Sequence, residues 1–189
     1  MNVVASTDFA ITHTAGLARS FKRWTGRDLL AGVTPGLELA AGLFGAPFVV
    51  VSHGTEADPV LNYGNQAALA LWEMTWEELT STPSRLTAEA PSREERARLL
   101  AAVSRDGFID NYSGVRISKS GRRFRIERAI VWNLMTSEGK PCGQAATFHQ
   151  GEFLGASFFF SRHLICQNHC PTFSWHERHR KSPATAAAI

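Results

Sequence analysis

NYGNQAALALWEMTWEEL, residues 62–79, places a strand end, a capped short helix and a second capped helix in immediate succession. Asn65 can accept the exposed amides of a helix over 66–72, and Thr75 with Glu78 forms the T-x-x-E box that closes the start of the next helix. Trp72 and Trp76 lie four residues apart across that joint. Aromatics of this size at such a joint either pack on a sheet as core or line a small ligand cavity, and the residues leave both readings open.

Upstream, PFVVVSH (47–53) is rich in β-branched residues and predicts the first strand. Residues 60–63 predict a short second strand across the polar turn at 54–59. Leu17, Phe21 and Trp24 recur at near-helical spacing, which predicts an amphipathic helix over about 12–25, broken at Gly26. LELAAGLFG (37–45) offers a further helical turn.

Downstream, Ser92 and Glu95 form another capping box at the head of SREERARLLAAVSRDG, whose stripe of Leu99, Leu100 and Val103 ends at Gly107. From Phe108 the pattern switches to strands over 108–118, 122–135 and 141–148, joined by tight turns that contain glycine. Strict alternation along the middle strand puts Phe124, Ile126, Arg128, Ile130 and Trp132 on one face, with Arg125 and Glu127 on the other. Arg128 is then the odd member of an apolar row. It must pair with an acid such as Glu73, snorkel to the sheet edge, or meet an anionic ligand.

Two strands, several small helices, one longer helix and a three-strand meander predict an α+β domain. The expected architecture is a PAS-like five-stranded antiparallel sheet with helices on one face, plus the N-terminal amphipathic helix. The expected organisation is a helical extension over 1–43, a core over 44–149 and a poorly ordered extension over 150–189 that ends in a small-residue tail.

The segments SFKRWTGRDLL (20–30), VVSHGTEADPVLNYGNQAALALWEMTWEELTSTPSRLTAE (50–89), REERARLL (93–100) and GVRISKSGRRFRIERAIVWNL (114–134) together resemble the MEKHLA family. The resemblance extends over residues 12–148. It implies a PAS-related fold and a sensory role, in a family found alone in small bacterial proteins and at the carboxyl end of plant homeodomain-leucine-zipper regulators. The chain looks like the stand-alone form. The resemblance supplies neither catalytic residues nor a settled ligand, and it stops near Phe148.

Composition narrows the classes. With 189 residues, 44% hydrophobic and 20% charged, one core accounts for the chain. The formal charge of +3 is spread almost evenly, 16 basic against 15 acidic residues in 1–149 and 4 against 2 in 150–189. That balance gives no electrostatic case for nucleic acid or an anionic membrane. Three cysteines, Cys142, Cys166 and Cys170, and a start without a secretory pattern point to a reducing cytoplasm. No apolar run is long enough to span a bilayer.

The expected pocket wall is Trp72, Trp76, Phe124, Arg128 and Trp132, holding a small ligand or answering a redox, light or oxygen signal. No cofactor is assigned. The flavin-photosensor cysteine run is absent, and the long helix carries no His for haem. A non-catalytic role is expected; the acid–base cluster His53, Glu56 and Asp58 sits in one turn without a placed nucleophile. Arg116, Lys119, Arg122 and Arg123 crowd one hairpin as either a solvated, edge-protecting turn or a partner surface. The alternative to a sensor is a ligand-free interaction module whose sheet face or Phe21 and Trp24 stripe binds another polypeptide, and a homodimer or a regulatory protein is the expected partner. His163, Cys166, Cys170 and His176 are weak zinc candidates whose spacing fits no standard finger, so no metal is expected.

Overall fold

A computed structural model describes residues 7–89, 93–149 and 151–154 of the chain. Helix α1 (Asp8–Thr25) begins earlier than its apolar spacing indicates, because Thr7 caps it by accepting the Ala10 N–H at 3.1 Å. Helix α2 (Leu37–Phe44) leads into strand β1 (Val49–His53), and β2 (Leu61–Gly64) returns beside it. Helices α3 (Gln66–Trp72) and α4 (Trp76–Thr80) follow, then a 3-10 turn at Ser84–Thr87. Helix α5 (Arg93–Asp106) and the meander β3 (Phe108–Ile117), β4 (Arg123–Met135) and β5 (Pro141–Phe148) complete the pattern, with a two-residue β6 (Glu152–Phe153) at the end. Both caps read from residues 62–79 form: Asn65 accepts from Ala68, and Thr75 and Glu78 make a reciprocal capping box. The box expected at Ser92 and Glu95 lies outside the described residues, as do His163, Cys166, Cys170 and His176.

The antiparallel sheet runs β2-β1-β5-β4-β3. Strand β6 pairs with β4 at Phe124 and Arg125, while β5 pairs with β4 from Ile130 onward. The sixth strand therefore prolongs the line of β5 after a short interruption. Asn65 ties this end of the sheet together: fully buried, it accepts from Val50 N–H and donates to the Leu43 and Phe48 carbonyls.

Helices α3 and α5 cover one face, where Trp72 and Ala68 pack with Val49, Phe124, Ile126, Ala129 and Phe148. Helices α1 and α2 cover the other, where Leu17, Phe21, Leu39 and Leu43 pack with Val50, Tyr63, Trp132 and Leu134. The sheet is thus buried on both sides.

The alternation expected along β4 fails at Arg128, which is exposed and has φ 50°. Between Ile109↔Val131 and Tyr112↔Ala129 strand β3 carries an extra residue; between Tyr112↔Ala129 and Gly114↔Ile126 strand β4 does. These are two β-bulges, and the second inverts the side-chain order in β4. Phe124 and Ile126 share the α3–α5 face with Ala129 and Val131, whereas Ile130, Trp132 and Leu134 face α1. Arg128 does not stand in an apolar row, and Glu73 pairs instead with Arg122 at 3.0 Å.

Candidate functional site

Between the α3–α5 face and the sheet lies an apolar cavity of ≈ 70 Å³. Val51, Ile126, Ala129 and Val131 form its floor, Leu99 and Leu100 of α5 its roof, and Trp72 and Phe148 one side. Its polar lining comes from Ser52, His53, Thr87 and Gln144, and from Tyr112 and Arg116 of β3. Tyr112, Gly114 and Arg116 fall two apart along β3 and so share a face.

Arg116 is only 6% exposed. Its Nη1 donates to the Val115 carbonyl at 2.9 Å and its Nη2 to the Tyr112 hydroxyl at 3.1 Å, with the guanidinium 5.4 Å from the Tyr112 ring centre. Gly114 makes this possible, because a Cβ there would strike the Tyr112 ring and crowd Arg116. No carboxylate pairs with Arg116 among the described residues.

Across the ladder, Arg116 stands opposite Phe124, and Trp72 packs edge-to-face on that same ring with centroids 5.4 Å apart. Trp72 is 3% exposed, and its indole N–H has no acceptor among the described residues. A buried cation and an unpaired buried donor, both lining the cavity, therefore neighbour the one ring of Phe124.

Of the residues expected to line a pocket, Trp72 lines the cavity, and Phe124 packs against Trp72 without being part of the lining. Trp132 is turned to the opposite face and packs on Phe21, with ring centres 5.0 Å apart. Trp76 reaches Phe44 and Tyr63 near the β2 edge, and Arg128 faces solvent. The Phe21–Trp24 stripe is not a free partner surface: Phe21 is 4% exposed, and the Trp24 indole donates to the Asn133 carbonyl at 2.9 Å.

The basic hairpin divides. Arg116 turns inward, whereas Arg122 and Arg123 stay half-exposed and pair with Glu73 and Glu89 at 3.0 Å each. Glu73 also accepts from Ser118 and Ser120, and hydrogen bonds from Ser120, Ser118 and Arg122 hold its carboxyl down at about 2. In the turn after β1, Asp58 is engaged with Arg85 at 2.9 Å, and the His53 ring is bonded through Nδ1 to the Gly54 carbonyl at 2.8 Å.

The expected list missed Tyr112 and the inward role of Arg116. The signal was present in the period of two along YSGVR, but the shared positive charge grouped Arg116 with the hairpin instead.

On the α1 face, His13 Nε2 is 2.8 Å from Ser52 Oγ, which donates to Asn62 Oδ1 at 2.6 Å. The serine proton is spent on Asn62, so His13 must be the donor in its bond to Ser52. Burial pushes the imidazole down to about 4, and burial also drives the nearby Tyr63 phenol well above its usual range.

The model of the MEKHLA domain matches residues 11–153. The chain belongs to the MEKHLA domain family. It is 24% identical over 133 residues to homeobox-leucine zipper protein ATHB-15 of Arabidopsis thaliana and 27% over 131 to ATHB-9 of the same plant, which cover 70% and 67% of the chain. It spans 16% of the length of each of these relatives. Among solved structures, the PAS domain of a protein from Colwellia psychrerythraea superposes with TM-score 0.51 and 14% identity, over 57% of this chain and 89% of that one. An RNA-binding Light-Oxygen-Voltage receptor gives TM-score 0.51 and 17% identity, over 58% and 31%. At such identities the likeness speaks for fold alone, and this MEKHLA domain has the PAS architecture.

A flavin or a haem does not fit the cavity as packed. Sites for ligands of that size enclose roughly 300 Å³ or more, and ≈ 70 Å³ is open here. Cys142, the one cysteine among the described residues, is exposed on β5 and is not part of the wall. No group of side chains that could hold a metal ion occurs among the described residues, nor any helix long and apolar enough to cross a membrane.

Proposed function

We propose that this MEKHLA domain is a non-catalytic sensory or regulatory module that binds a small molecule between α3, α5 and the sheet. The observation that carries the reading is the cavity wall itself, where Arg116 is buried with no carboxylate partner among the described residues, in a lining that is mostly apolar. A packed structural core gains nothing from such a group, whereas a binding site uses one polar anchor against apolar walls.

An occupant would alter the packing of Trp72 and of α5 on the sheet. Helix α1 lies on the reverse of the same strands through Trp132 and Leu134, so a change in sheet geometry can reach it. In this reading α1, with a second copy of the chain or a regulatory protein as its contact, carries the output in the cytoplasm. For a ligand-free interaction module the Phe21 part of the helix stripe is not on offer, since Phe21 packs on the chain's own Trp132.

Native mass spectrometry of freshly purified full chain, with an absorption spectrum, tests the proposal. The expected result is a small non-covalent mass increment that is lost on denaturation, without visible absorption. A bare polypeptide mass that stays bare after incubation with a broad library of small metabolites would overturn it.

A further inference from the structure

Arg116 constrains what the cavity accepts. Three of its five N–H donors are left after the bonds to Val115 and Tyr112. Both of those acceptors are neutral, and a guanidinium held at 6% exposure without an anion carries a desolvation cost that neutral partners only partly offset. The Trp72 indole N–H, also buried, has no acceptor among the described residues. Each group is a donor, one is charged, and both neighbour Phe124.

We infer that the cavity binds a small aliphatic monocarboxylate, with the carboxylate received by Arg116 and the Trp72 N–H and the alkyl end lying on Ile126, Ala129 and Val131. The inference rests on the sensory reading above and names its ligand class. Size sets the upper limit. A cavity of ≈ 70 Å³ is a little over twice the share of about 30 Å³ that each molecule takes in liquid water and well below the roughly 300 Å³ of sites for larger ligands, which fits a short-chain acid and excludes a long fatty acid or a fused-ring cofactor.

Chemistry sets the rest. A dianionic phosphate would bring more charge than one guanidinium neutralises in a mostly apolar cavity. A neutral amide would satisfy the indole N–H but leave the arginine uncompensated. A monoanion with a short apolar body meets both demands, and a carboxylate can take the guanidinium through two parallel hydrogen bonds.

The test is isothermal calorimetry of the full chain with propionate against propionamide, which is similar in shape and uncharged. Propionate is expected to bind at least about tenfold more tightly than propionamide, since the charged hydrogen bonds are lost with the amide. Arg116→Met removes the charge while keeping the length of the side chain. It should weaken propionate by a similar factor and leave propionamide unchanged, with a thermal melt confirming that it folds. Trp72→Phe keeps the aromatic packing and removes the N–H, and should weaken both ligands.

Equal binding of acid and amide, undiminished propionate binding by Arg116→Met, or no heat with either ligand would overturn the inference. The two proposals fail separately. A neutral small molecule found in the cavity by native mass spectrometry sinks the carboxylate and keeps the sensor, whereas a cavity that takes nothing sinks both.

Discussion

Asn111 on β3 and Arg128 on β4 both adopt left-handed backbone conformations, φ 64° and 50°, and each supplies one extra residue to the same strand pair. The two insertions cancel, so the ladder recovers its register beyond them. Between them they decide which side chains face the cavity: without the Arg128 bulge, Trp132 would stand with Phe124 and Ile126.

The left-handed conformation at Arg128 gives an ordering of variants opposite to that of a regular strand. Arg128→Gly relieves a backbone cost of about 1 kcal/mol, and Arg128→Val adds a similar penalty because a β-branched residue resists positive φ. Urea melts should rank Gly above Arg above Val. A regular strand would rank Val highest, and that order would contradict the bulge.

His13 gives the fold a specific acid sensitivity. Its imidazole is held neutral in the folded chain, down to about 4, against 6.5 when unfolded. The unfolded chain therefore takes up the proton first, and stability that is complete above pH 6.5 is lost as pH falls toward 4. The loss is about 2 kcal/mol after allowance for partial exposure. Glu73, held down at about 2, contributes a further loss only in more acid solution. His13→Gln, which keeps a donor for Ser52, should flatten the midpoint between pH 6.5 and 4 in melts recorded across that range; an unchanged slope would show that another group is responsible.

Phe21 closes the α1 side of the core against Trp132. Phe21→Ala should cost about 3–5 kcal/mol, as expected for emptying a buried aromatic site. If α1 were a detachable arm, the same variant would leave the denaturation midpoint where it was.

Tyr63 has a fully buried hydroxyl with no hydrogen-bond partner among the described residues. Tyr63→Phe removes a desolvated polar group and no bond, so the melting temperature should hold or rise, by up to about 1 kcal/mol of stability. A clear fall would reveal a partner for the hydroxyl.

Most of the fold could be read from local chemistry. Asn65, Thr75 and Glu78 act within three residues of their partners, and the turns of the meander are written in Gly121 and Gly139. What escaped was non-local or disguised. Arg128 is not a residue that marks a bulge, so period-two reasoning ran straight through it and put Trp132 on the wrong face. Arg116 lies close in sequence to Lys119, Arg122 and Arg123 but is drawn inward by Tyr112 and by the space left at Gly114. The His13–Ser52–Asn62 chain joins α1, β1 and β2, and no spacing in the sequence announces it. The burial of Phe21 by the chain's own sheet needed the three-dimensional arrangement, since an amphipathic stripe looks the same whether its cover is intramolecular or a partner.

The most direct test of a ligand site at Arg116 is a crystal structure of the freshly purified chain. The account predicts non-protein density in the cavity, within hydrogen-bonding distance of the Arg116 guanidinium and the Trp72 indole nitrogen. A cavity closed by contact between Leu100 and Ile126, with Arg116 paired to a carboxylate of the chain itself, would contradict it.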